Sequence, residues 1–154
     1  MAFREKMVWG SAITTLAIWG WYFLGFVNDL RAGTLDQGEA TGDFASTVVL
    51  LVIVQMAVAI ALSIAQWRDS QRPADDRERA IALYAYRAGH FTLSACVVML
   101  MLAGPILLRV ANEWTPAPPP GLTPVLLGNT LLFSLVLAEL VYSAAQLIRY
   151  RLGG

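Results

Sequence analysis

Arg87, His90 and Glu139 lie inside or at the edge of two of four long apolar runs, while almost every other charge in the chain lies between the runs. A carboxylate beside the only histidine can bind and release a proton near neutral pH, and a nearby guanidinium favours the ionised carboxylate. Glu139 precedes Arg149 by ten residues and His90 follows Arg79 by eleven, so antiparallel third and fourth helices bring the two to about the same depth. Arg87 sits one helical turn before His90, and Gln55, eleven residues before Gln66, is at a comparable level on the second helix. The expected layer is Gln55, Arg87, His90 and Glu139, with Tyr86 and Tyr142 nearby.

An ionised Glu139 facing lipid costs several kcal/mol, so it is expected to face the bundle and pair with Arg87 or His90, or to be protonated. The leading expectation is a structural pin, a salt bridge that sets helix register while Arg87 snorkels toward the headgroups. The sharper alternative is a proton-responsive site. No second set of ionisable residues continues from Glu139 to the far face, so no uninterrupted relay is visible. Other chemistries are set aside: a single histidine excludes paired-histidine haem within one chain. There is also no HExxH, no GxSxG, no phosphate-binding glycine loop and no cysteine pair. Ser94 lies one turn beyond His90, but serine in a spanning helix usually bonds its own backbone. No catalytic residue, metal or cofactor is expected.

The elements that position these residues follow from composition. With 57% hydrophobic and 14% charged residues the solvent is lipid rather than water. The 11 basic and 11 acidic side chains cancel, which leaves no overall field for nucleic acid. Apolar runs of about 20 residues select spanning helices, and the pattern gives four of them, at about 7–27, 45–67, 80–110 and 124–148. The first carries Trp9 near one end and Trp21-Tyr22 near the other as interfacial anchors; it is longer than a signal-peptide core and lacks an A-x-A cleavage pattern. Residues 28–44 read as an exposed acidic loop, too irregular for a calcium motif, with Asp43 as candidate cap of the second span.

In the second span, Ala57, Ala61 and Ala65 fall on one face that lets another helix approach closely. Gln55, its one strongly polar mid-span residue, is expected to make an interhelical hydrogen bond. The third helix starts near Asp75 with acids in its first turn. Its run is on the order of 45 Å, so its first turns project beyond the hydrocarbon, and Gly104-Pro105 should kink its far end. Trp114 and the run Pro116 to Pro120 form a stiff connector rather than a partner-binding motif. Cys96 reads as a small buried apolar residue.

Arg4, Lys6, Arg68, Arg72, Arg77, Arg79, Arg149 and Arg151 fall on one side and only Arg31 and Arg109 on the other, so both termini should be cytoplasmic. The expected fold is an all-α integral membrane domain spanning 1–154, two antiparallel hairpins in a bundle. Two stretches carry a resemblance: Asp75-Asp76-Arg77-Glu78-Arg79-Ala80-Ile81 continuing to Ala85-Tyr86-Arg87-Ala88-Gly89-His90, and Leu137-Ala138-Glu139-Leu140-Val141-Tyr142 through Gln146-Leu147-Ile148-Arg149-Tyr150. About a third of the chain thereby resembles small uncharacterised four-span proteins of bacterial inner membranes, in which an alternating acid–arginine motif precedes the third span. The resemblance implies a bacterial inner-membrane location and carries no activity.

The expected function is non-enzymatic: assembly within the lipid bilayer through helix contacts, as a homo-oligomer or part of a larger membrane complex. The alternative is a small proton- or cation-responsive transporter or channel component using Glu139 and His90. A membrane enzyme acting on a lipid-borne substrate is a distant third.

Overall fold

The computed structural model describes residues 3–67, 71, 73, 75–113 and 122–152. They form four helices: α1 Phe3–Ala32, α2 Gln37–Ala65, α3 Asp76–Glu113 and α4 Leu122–Leu152. All four are long and apolar enough to cross a membrane, the character of a membrane protein. The expected polyproline connector, together with Arg68 and Arg72, lies outside the described residues.

α1, α3 and α4 overrun their apolar runs at both ends, and α2 overruns its own at the start and stops at Ala65, because capping contributes with hydropathy to where a helix stops. At the end of α1, Gly33 adopts φ +70°. Its N–H reaches the Leu30 carbonyl at 3.3 Å and the Thr34 N–H reaches that of Asp29 at 3.1 Å, a Schellman closure. Three residues later α2 begins, with the Asp36 carboxylate accepting from the Gly38 and Glu39 N–H groups at 2.8 and 3.2 Å. The expected loop at 28–44 is therefore mostly helix, and the cap is Asp36, with Asp43 already inside α2. At α3, Glu78 N donates to Asp75 Oδ1 at 2.7 Å while Asp75 N donates to Glu78 Oε2 at 3.3 Å, a reciprocal capping box. The helix then continues through Pro105 to Glu113.

In packing, α4 is the hub. It makes its most extensive contact with α3, a substantial one with α1 and a slight one with α2, which rests mainly on α1. The core lies between α1 and α4, where buried Trp19, Tyr22 and Val136 are flanked by Phe23, Val48, Leu51, Leu132 and Leu140. Edge-on ring pairs lock it, Trp19 with Tyr22 at 5.6 Å and Phe23 with Phe133 at 5.4 Å. Hydroxyls within the apolar helices bond back to carbonyls four residues earlier, as exposed Thr130 does to Leu126 at 2.7 Å and buried Ser134 to Thr130 at 2.9 Å.

Two glycines set how near the helices come. A Cβ at Gly10 would lie 2.9 Å from Val58 Cγ1 on α2, and one at Gly89 would lie 3.1 Å from both the Ala138 carbonyl oxygen and Tyr142 Cβ on α4. At the basic end, Arg4 at the start of α1 pairs with Glu78 at the start of α3 at 2.9 Å. The guanidinium groups at the end of α4 lie over rings there, Arg149 at 4.0 Å from Tyr84 and Arg151 at 5.6 Å from Trp9. At the opposite end the Tyr22 hydroxyl donates to Asn129 Oδ1 at 2.7 Å, tying α1 to α4.

Candidate functional site

The ionisable residues are positioned by the α3–α4 seam. On α3 the buried positions Ile81, Ala85 and Gly89 recur every fourth residue and form one stripe. Small side chains at Ala85 and Gly89 admit the α4 backbone at Ala138, itself buried. His90 and Glu139 each follow a contact residue of this seam directly, so each is turned by about 100° from the line of contact. Arg87 is turned further still. All three side chains are exposed on the surface of the single chain.

The expected ion pair among them differs from what the described residues contain, whose ion pairs are Arg4–Glu78 and Arg79–Asp76, at 2.9 and 3.8 Å. The reason is steric. A seam tight enough to need glycine holds no guanidinium or carboxylate between its helices. His90 instead stacks on Tyr86, one turn earlier, with ring centroids 6.0 Å apart and planes 11° from parallel. On α4, buried Gln146 donates through Nε2 to the hydroxyl of Tyr142, a residue of the seam itself, at 2.6 Å. Ser94 is exposed, and no hydrogen bond joins it to His90 among the described residues.

Gln55 is positioned differently. Its Nε2 donates to Thr15 Oγ1 on α1 at 3.1 Å, so within the chain it is joined to the α1–α2 contact rather than to His90 or Glu139. Thr15 is buried, and Gln55 supplies its hydroxyl with a donor that the apolar surroundings lack. The alanine face also lies outside the packed region. Ala57, Ala61 and Ala65 are exposed, and α2 has no buried residue at all, since it meets α1 through the adjacent positions Val58 and Leu62 opposite Gly10.

Sequence reasoning missed Gly10, Gly89 and Thr15. The signal for one of them was available: Ala85 and Gly89 form a small-x-x-x-small spacing, the same device read from the alanines of α2. Cys96 is half-buried and free. No cluster of three or more His, Cys, Asp or Glu side chains suited to a metal occurs among the described residues. Comparison of the chain with protein-family profiles, curated proteins and solved structures finds no match.

Proposed function

We propose that this is a non-enzymatic, multi-pass protein of a bacterial inner membrane that works as an assembly subunit, joining copies of itself or a larger membrane complex through lateral helix contacts. In this reading its spans form two antiparallel hairpins with both termini cytoplasmic. The uneven distribution of basic residues supports that orientation, with Arg4, Lys6, Arg77, Arg79, Arg149 and Arg151 grouped at one end of the bundle.

The observation that carries the proposal is the exposure of Arg87, His90 and Glu139 along helices that are otherwise apolar. A charged side chain at the centre of a spanning helix costs about 3 kcal/mol, so a surface with three ionisable groups is better completed by protein than by lipid. With α3 and α4 antiparallel, the 100° turns at His90 and Glu139 bring both side chains out on the same side of the seam. One neighbouring helix would then satisfy the two together. The uncovered Ala57-Ala61-Ala65 face of α2 offers a second close approach.

Native mass spectrometry of the protein released from nanodiscs tests this. The wild type is expected above the monomer mass, alone or with co-purifying protein, and Ala61→Leu is expected to reduce the assembled fraction. A wild type found solely as bare monomer, or an assembled fraction that Ala61→Leu leaves unchanged, would overturn the reading. The exposure of Glu139 and His90, with Glu139 in none of the ion pairs among the described residues, also favours a second reading, a proton- or cation-responsive transport element. It requires flux in liposomes that Glu139→Gln abolishes.

A further inference from the structure

Glu139 is the only acid in the four apolar runs, and the bases that share them are Arg87, His90 and, near the far end of α3, Arg109. The α3–α4 contact ties their heights together. Gly89 approaches Ala138 and Tyr142, and Glu139 lies between those two along α4, so His90 and Glu139 stand within about one helical turn of the same height. Arg87 is about 3 Å from Gly89 along the axis, a shift that its long side chain spans. Arg109, about 28 Å beyond His90, is too far along the helix to take part.

Height alone does not bring the charges together within one copy. At about 100° per residue, Arg87 is turned about 160° from Gly89, so the body of α3 stands between its guanidinium and α4. His90 and Ser94 lie within about 60° of Arg87, which gives α3 an exposed polar stripe at i, i+3 and i+7. Glu139 is exposed on α4, and the ion pairs among the described residues, Arg4–Glu78 and Arg79–Asp76, include neither Arg87 nor Glu139. The chain thus presents a base on one face and the complementary acid on another, at nearly one height. Copies inserted in the same orientation hold each residue at the same depth, so matched heights are the condition that pairing between copies has to meet.

We propose that the partner of this surface is a second copy of the chain, the Glu139 carboxylate of one copy accepting from Arg87 of the other, with His90 alongside. A guanidinium and a carboxylate form two parallel hydrogen bonds, and pairing removes the cost of holding either ion against hydrocarbon. The proposal rests on the assembly reading and names its partner; it uses α3 and α4 rather than the alanine face of α2. A two-fold dimer and a ring both satisfy it, since either repeats the contact from copy to copy.

The test is association of full-length copies fused to donor and acceptor fluorescent proteins, followed by Förster transfer in liposomes over a range of lipid-to-protein ratios. Glu139→Gln in one set of copies, and Arg87→Gln with His90→Gln in another, should each raise the dissociation constant about tenfold. Mixing the two sets should recover about threefold of that loss, because half of the contacts then join an intact Arg87 to an intact Glu139. Charge variants that associate as the wild type does, or a mixture no tighter than its components, overturn the proposal while assembly itself stands. A wild type that is monomeric in liposomes yet purifies with a different membrane protein also overturns it and leaves the assembly reading intact, whereas a wild type that does neither ends both. If a charge variant loses its helical circular dichroism, cross-linking decides instead. Ser94 and Leu135 are exposed, each one turn from His90 or Glu139 toward the end opposite the basic one. With Cys96 changed to serine, copies with Ser94→Cys and copies with Leu135→Cys keep every charge, and a short bismaleimide should join them as a mixed pair. A mixed yield no higher than that of either copy alone overturns the proposal.

Discussion

Replacing Gly89 by alanine adds one methyl group where α3 lies close against α4, and its cost can be worked from the geometry. The new Cβ would sit 3.1 Å from the Ala138 carbonyl oxygen and 3.1 Å from Tyr142 Cβ, against ordinary contacts of about 3.5–4.0 Å. Neither neighbour is the free end of a flexible side chain, so relief requires the helices to part by several tenths of an ångström along their most extensive contact. Inserting a methyl into a packed region costs about 1–3 kcal/mol. Alanine returns about 1 kcal/mol through its helix preference over glycine, which leaves a net loss of about 0–2 kcal/mol. Gly20→Ala is the matched control. It is also inside a spanning helix, but its Cβ would meet nothing within 4 Å, so only the favourable part remains, a gain of up to about 1 kcal/mol. The two variants should therefore separate by about 2 kcal/mol in reversible unfolding from mixed micelles followed by far-ultraviolet circular dichroism. A Gly89→Ala protein as stable as Gly20→Ala would refute the close approach of α3 to α4.

Two further outcomes follow from the hydrogen bonds and caps. A double-mutant cycle of Gln55→Leu and Thr15→Val should give a coupling of about 0.6 kcal/mol, typical of hydrogen bonds between spanning helices; strictly additive effects in the same unfolding assay would dissociate the two residues. Gly33→Ala should destabilise by about 1 kcal/mol, because φ +70° is left-handed and any Cβ is strained there, although the space around it is open; a neutral result would mean that α1 does not close through this glycine.

Helix number and placement were legible because hydrocarbon imposes a length and a composition that few other structures share. The start of α3 was legible too, since Asp75 and Glu78 stand at capping-box spacing. The second helix was read eight residues short: acidic side chains from Asp36 to Asp43 lower the hydropathy of the segment without opposing helix formation. Asp36 in particular promotes it, by accepting the first free N–H groups. Depth counting gives His90 and Glu139 one level, and what the structure shows nearby is Gly89 close to Ala138 and Tyr142. Azimuth was harder to obtain. Which side of a helix meets its neighbour depends on where a backbone can approach, and in α3 that is decided by Ala85 and Gly89, residues whose importance lies in what they lack.

This bears on how ionisable residues in a membrane helix should be understood. Close helix packing and a pair of charges compete for the same space: a seam narrow enough to gain dispersion energy from backbone contact excludes the long side chains that would neutralise each other inside it. Glu139 and His90 each stand one residue from such a seam, so the tightness of the Gly89–Ala138 contact turns them outward. The same contact that joins α3 to α4 thereby leaves both side chains exposed on the single chain. Within the chain Gln55 avoids this because α1 offers Thr15 at hydrogen-bond distance. Glu139 has no such ion-pair partner among the described residues, and the cost of leaving it against hydrocarbon is the physical reason to look for one on another polypeptide.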